Sequence, residues 1–103
     1  MEKKNIAGVE VTFNEDGYLA DAGQWNKEIA VELAKEDGID LTEKHFEVLD
    51  YLRKENESGA GLTIRKVGKS GITDIKGLYK LFPGGPLKLS SKYAGIPKPT
   101  SCV

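Results

Sequence analysis

The stretch Leu81-Phe82-Pro83-Gly84-Gly85-Pro86-Leu87-Lys88-Leu89-Ser90-Ser91-Lys92-Tyr93-Ala94-Gly95-Ile96-Pro97-Lys98-Pro99-Thr100-Ser101-Cys102-Val103 falls into three parts. Two prolines and two glycines over 83–86 enforce a sharp change of direction. Leu87 to Ala94 can form a short helix, ended by Gly95. Pro97 and Pro99 then fix their own φ and bias the residues before them to extended conformations, so 96–103 reads as a flexible C-terminal arm. Extended at about 3.3 Å per residue, it could reach roughly 26 Å. It carries Cys102, the only cysteine in the chain. A thiol held out in this way could enter another protein's active site; the plainer alternative is an ordinary thiol on a frayed tail.

Reading back from that stretch, Thr73 can cap a helix running through Leu81, and Gly71 separates it from a short helix over Leu62 to Lys69. Helix, glycine turn, helix is helix-turn-helix-like. Glu55 to Gly61 reads as a loop. Thr42 caps a helix with Phe46, Val48, Leu49 and Leu52 on its inner side, and His45 falls in its first turn as a structural histidine. Asp21 is the candidate cap of an earlier helix, in which Trp25, Ile29, Ala30, Leu33 and Ala34 recur at helical spacing and which stops near Gly38. Trp25 reads as a core anchor. Val9-Glu10-Val11-Thr12-Phe13 alternates as a strand, Asn14-Glu15-Asp16-Gly17 is a turn signal, and Tyr18-Leu19-Ala20 is the expected returning strand. The fold class is therefore α+β. It combines a small helical bundle, an N-terminal β-hairpin, a helix-turn-helix-like segment and a flexible arm, with 1–103 as a single domain.

Composition narrows the chemistry. No apolar run is long enough to span a bilayer and no signal peptide is visible, so a cytoplasmic protein without membrane contact is expected. One cysteine cannot close an internal disulfide. With His45 as the single histidine, no thiolate- or imidazole-rich metal site can form, and no cofactor is expected. Gly84-Gly85 is followed by proline and leucine, not by the lysine and hydroxyl residue of a phosphate loop. A Ser-His-Asp site would have to use His45 without a nucleophile elbow. The net charge of −1 conceals an asymmetry: residues 1–61 hold 15 acidic and 7 basic side chains, whereas residues 62–103 hold 8 basic residues and only Asp74. A basic half can steer an anionic partner. Nucleic acid is one candidate, through the run from Thr63 to Lys80, but base-reading Asn and Gln are absent there.

Leu81-Phe82-Pro83-Gly84-Gly85-Pro86, Lys88, Lys92, Ala94 to Thr100 and Cys102-Val103 closely resemble the ending of the DsrC/TusE family. The likeness extends upstream through Glu15 to Leu19, Trp25, Ala30, Leu33-Ala34, Gly38-Ile39, Leu41-Thr42, Leu52-Arg53, Ile64-Arg65 and Lys69. It implies that Cys102 bears sulfur as a persulfide. Arg65, Lys69 and Lys98 would then assist docking or stabilise the thiolate. Members of the TusE type accept sulfur from a TusBCD-like complex and pass it to an MnmA-like tRNA thiolase for 2-thiolation of the wobble uridine. Members of the DsrC type serve dissimilatory sulfite reductase as a gamma or accessory subunit, and the stretch from Arg65 to Leu81 resembles this shorter type. Redox-cycling members have a second cysteine eleven positions before the penultimate one. Position 91 here is serine, which leaves a one-thiol relay as the expected mode.

Overall fold

A computed structural model describes residues 2–59 and 63–97. Strands β1 (Glu2–Ile6) and β2 (Val9–Phe13) precede helices α1 (Lys27–Glu36), α2 (Glu43–Glu57), α3 (Ile64–Gly68), α4 (Ile75–Leu81) and α5 (Pro86–Ala94). The α+β class holds: a two-stranded antiparallel hairpin lies against helices.

The hairpin is not the one expected from the sequence. β2 pairs with β1, from Ile6 opposite Val9 to Glu2 opposite Phe13. Ala7 and Gly8 make the connection with φ of 52° and 81°. Two consecutive positive φ values give a tight turn whose twist matches that of the flanking strands. β1 escapes a periodicity search because four of its five residues are exposed and only Ile6 is buried. The Asn14–Gly17 turn does form. Asn14 Oδ1 accepts from the amides of Asp16 and Tyr18 at 3.0 and 3.1 Å. The return it produces is a single bridge, Phe13 to Leu19, rather than a strand.

α1 also begins later than expected. Asp21 instead organises a single 3₁₀ turn, accepting from the Gly23 amide at 2.9 Å. The true cap is Asn26, whose side chain accepts from the Ile29 amide at 2.9 Å. Trp25 therefore stands just outside the helix. The buried stripe Ile29, Ala30, Leu33 and Ala34 is as predicted, and Gly38 turns the chain away at φ 77°.

α2 follows its cap Thr42 and extends through Glu57, so Glu55 to Glu57 are helical rather than loop. α4 is capped by Asp74, not Thr73; the Asp74 carboxylate accepts from the Gly77 amide at 2.7 Å. Gly77 looks costly in a helix, but a Cβ there would collide with Thr73 Oγ1.

α5 packs against α1, α2 and α4. Pro86 opens it at the first turn, where a missing N–H costs nothing. Pro86, Leu87, Ser90, Ser91, Tyr93 and Ala94 are all buried. Phe82, 0 % exposed, fills the space before it. Its ring meets that of His45 edge-on at 5.1 Å and lies 6.1 Å from Tyr93. One continuous cluster joins Phe82, Leu87, Tyr93 and Ala94 to Val11, Phe13, Leu19, Ile29, Leu33, Val48, Leu49 and Leu52. Among the described residues, no helix is long and apolar enough to cross a membrane.

Candidate functional site

The sequence places the candidate chemistry beyond α5, so the end of that helix is where a site is built. Gly95 takes the left-handed conformation, φ 70°, and its amide donates to the Lys92 carbonyl at 3.3 Å. The Ile96 amide donates to the Ser91 carbonyl at 3.2 Å. Both close the helix with its own last carbonyls.

Two side chains from elsewhere take the carbonyls that remain. Trp25 Nε1–H donates to the Tyr93 carbonyl at 2.6 Å. Arg53, from α2, donates through Nη1 to the Ala94 carbonyl at 2.7 Å. The guanidinium carbon lies 4.3 Å from the Trp25 ring centroid, so the cation stacks on the indole while it serves the helix end. The indole also occupies the space a Cβ on Gly95 would need. Ile96 is 1 % exposed and Pro97 is exposed, so the chain leaves the core across this junction.

The Tyr93 hydroxyl donates to Asp37 Oδ2 at 2.7 Å, and Lys92 Nζ approaches the same oxygen at 3.5 Å. Burial raises the ionisation of Tyr93 far above the ordinary phenol range, with the Asp37 hydrogen bond and charge adding to it. Tyr18 is shifted the same way, by burial and then by Asp16. Its hydroxyl donates to the Lys88 carbonyl at 3.2 Å, which ties the turn after β2 to α5.

Of the residues singled out in the sequence, Cys102 and Lys98 lie outside the described residues. Arg65 and Lys69 are described. They stand four positions apart on α3 and its C-cap, both exposed. His45 is structural: Nδ1 accepts from the Thr42 amide at 3.0 Å and Nε2 donates to the Leu81 carbonyl at 2.8 Å. Both ring nitrogens are thus committed. Among the described residues, no group of three or more His, Cys, Asp or Glu could hold a metal ion.

Ser91 stands where the family resemblance implies a second cysteine in redox-cycling members. It is 0 % exposed, and Oγ has no hydrogen-bond partner among the described residues. A buried hydroxyl left in this state costs about 1–3 kcal/mol. Sequence reasoning missed this feature, as it missed the paired use of Trp25 and Arg53. The only sequence signal for the latter was that both residues fell within the family-like pattern.

These features define a small α+β domain whose final helix is fastened at its C-terminal end by side chains brought from two distant segments. The DsrC family model, described as DsrC like protein, matches residues 5–103. The chain belongs to the DsrC family. It is 38 % identical to a sulfurtransferase TusE homolog of Haemophilus influenzae, over 96 % of this chain and 98 % of that one. It is 36 % identical to sulfurtransferase TusE of Escherichia coli K12, over 93 % and 95 % of the two chains. Among solved structures, it is similar to the oxidised gamma subunit of dissimilatory sulfite reductase (DsrC) from Archaeoglobus fulgidus. That match has a TM-score of 0.80 and 34 % identity, covering 99 % of this chain and 100 % of that one.

Proposed function

We propose that this chain is a sulfur carrier that works through Cys102. The Cys102 thiolate attacks the outer sulfur of a donor persulfide. The donor's S–S bond breaks, its thiolate leaves, and Cys102 becomes a persulfide. An acceptor thiolate then attacks that outer sulfur in the same way, and Cys102 departs as thiolate. Sulfur moves at constant overall oxidation level, so no cofactor is needed. The observation that carries the reading is a family match continuing to residue 103, which includes the lone thiol.

In this reading 1–103 form one domain with 96–103 as the arm, and the setting is cytoplasmic. The donor is a TusBCD-like complex and the acceptor an MnmA-like tRNA thiolase acting on the wobble uridine. The curated relatives named as TusE support this direction. Lys98, Arg65 and Lys69 assist by docking or by favouring the thiolate. Serine at position 91 supports a one-thiol relay over a cycle that closes an internal disulfide. The second reading, an accessory subunit of a sulfite reductase, draws on the DsrC structures and would place the same arm in that partner's channel.

The test is to incubate the protein with a persulfide donor and map adducts by intact mass and peptide analysis. One added sulfur on Cys102, absent in Cys102→Ser, is the expected result. An adduct that survives the substitution, or none in the wild type, would reject the carrier role. Co-purification with a sirohaem protein would favour the second reading.

A further inference from the structure

α3 and α4 present an outer face whose composition folding does not explain. Ile75 and Tyr79 are 41 % and 47 % exposed, two of the few large apolar side chains the described residues leave in water. They stand one turn apart on α4 and so share a side of the helix. Lys76 and Lys80, the next residue after each, are exposed with the same spacing, and on neighbouring α3 so are Arg65 and Lys69. No ion pair engages any of these four cations among the described residues. The single acid of residues 63–97, Asp74, is spent on capping α4.

Like charges four positions apart on a helix repel by about 0.2–0.5 kcal/mol per pair. Lys76 and Lys80 form such a pair, and Arg65 with Lys69 at the end of α3 repeats the spacing. The isolated domain therefore bears two small electrostatic costs and an exposed apolar centre, all on adjoining helices. An apolar middle with a charged border is the anatomy of a protein interface.

From this we infer that the α3–α4 face is a docking surface for an acidic protein face, one that surrounds an apolar recess able to take Tyr79 and Ile75. The inference rests on the carrier reading, since it assigns that acidic face to a protein exchanging sulfur with Cys102. Nucleic acid fits the face less well. Ile75 gains nothing against phosphate, and neither helix carries Asn or Gln to read base edges.

The test replaces Tyr79 with photoreactive p-benzoylphenylalanine, cross-links in living cells of the source organism, and identifies the joined peptide by mass spectrometry. A matching probe at Lys54, on the exposed side of α2, sets the background. The expected product joins position 79 to a carboxylate-rich surface of a protein that also exchanges sulfur with Cys102. Transfer to or from that purified protein is then measured. Lys76→Glu with Lys80→Glu should slow it about tenfold at low salt, with the deficit shrinking as salt is added. Tyr79→Ser should raise the half-saturating concentration about tenfold at unchanged maximal rate.

Loading of Cys102 by a small-molecule persulfide should be the same in every variant. That measurement isolates the carrier chemistry, so its failure is separate from failure of the docking surface. A cross-link to RNA, DNA or a second copy of this chain would overturn the proposal. So would one no stronger than background, or variants that leave transfer untouched.

Discussion

The end of α5 and the α3–α4 pair use opposite strategies. At the end of α5, the carbonyls of Ser91, Lys92, Tyr93 and Ala94 all accept hydrogen bonds, two from nearby amides and two from Trp25 and Arg53. The side chains beneath are buried, and Gly95 leaves no room beside the indole. In α3 and α4 the backbone is capped by Thr63 and Asp74. Beyond that, the outer side chains face solvent, and cation stands beside cation. One region spends its composition on a fixed geometry. The other tolerates small costs that only a partner could relieve, and natural domains accept such costs where function requires them.

The largest effect should come from Gly95→Ala. A left-handed residue with a Cβ costs about 1–2 kcal/mol, and here the Cβ also meets the Trp25 ring. A loss of about 2–4 kcal/mol is expected by denaturant titration, since displacing a packed side chain adds about 1–3 kcal/mol. A loss under about 0.5 kcal/mol, the level of an ordinary surface change, would mean that the junction is not rigid.

An intermediate effect concerns pH. Tyr93 is held protonated in the fold while an unfolded tyrosine ionises near about pH 10. Its contribution is full below that pH and drains away above it, as the unfolded chain loses a proton the native state keeps. Tyr18 acts with the same sign. Stability should therefore begin to fall near about pH 10 and keep falling as pH rises toward the raised native range of Tyr93, and Tyr93→Phe should flatten part of that fall. Parallel curves for the two proteins would show that the buried phenol is not linked to folding.

The smallest effect, opposite in sign, belongs to α4. Lys76→Gln removes one member of a repelling pair and should stabilise by about 0.2–0.5 kcal/mol at low salt, vanishing at high salt. A destabilisation would mean that Lys76 does work in the free domain, and the contrast between the two regions would weaken.

Helix-forming segments were legible because their apolar residues recur locally, as Ile29, Ala30, Leu33 and Ala34 do in α1. Elements that depend on distant partners were not. Three of the five residues of β1 are charged and four are exposed, so no alternation marks it, and its pairing is set by the Ala7-Gly8 turn. Asp21 reads as the cap, yet its side chain accepts from the Gly23 amide, and the helix waits for Asn26, which accepts from the Ile29 amide. The arm's composition and Cys102 stand out in the sequence. The fastening of its base does not, because Trp25 reaches across 68 positions and Arg53 across 41. Arg65 and Lys69 were legible as candidate docking cations, whereas no sequence signal marked the exposure of Ile75 and Tyr79.

Ser91 carries a consequence for what its position can accept. Its oxygen is buried with no hydrogen-bond partner among the described residues, whereas a thiol, a feeble hydrogen-bonder, would lose less there. Exchanging that oxygen for sulfur would remove an unmet hydrogen-bonding demand, so polarity at this position does not stand against a second thiol.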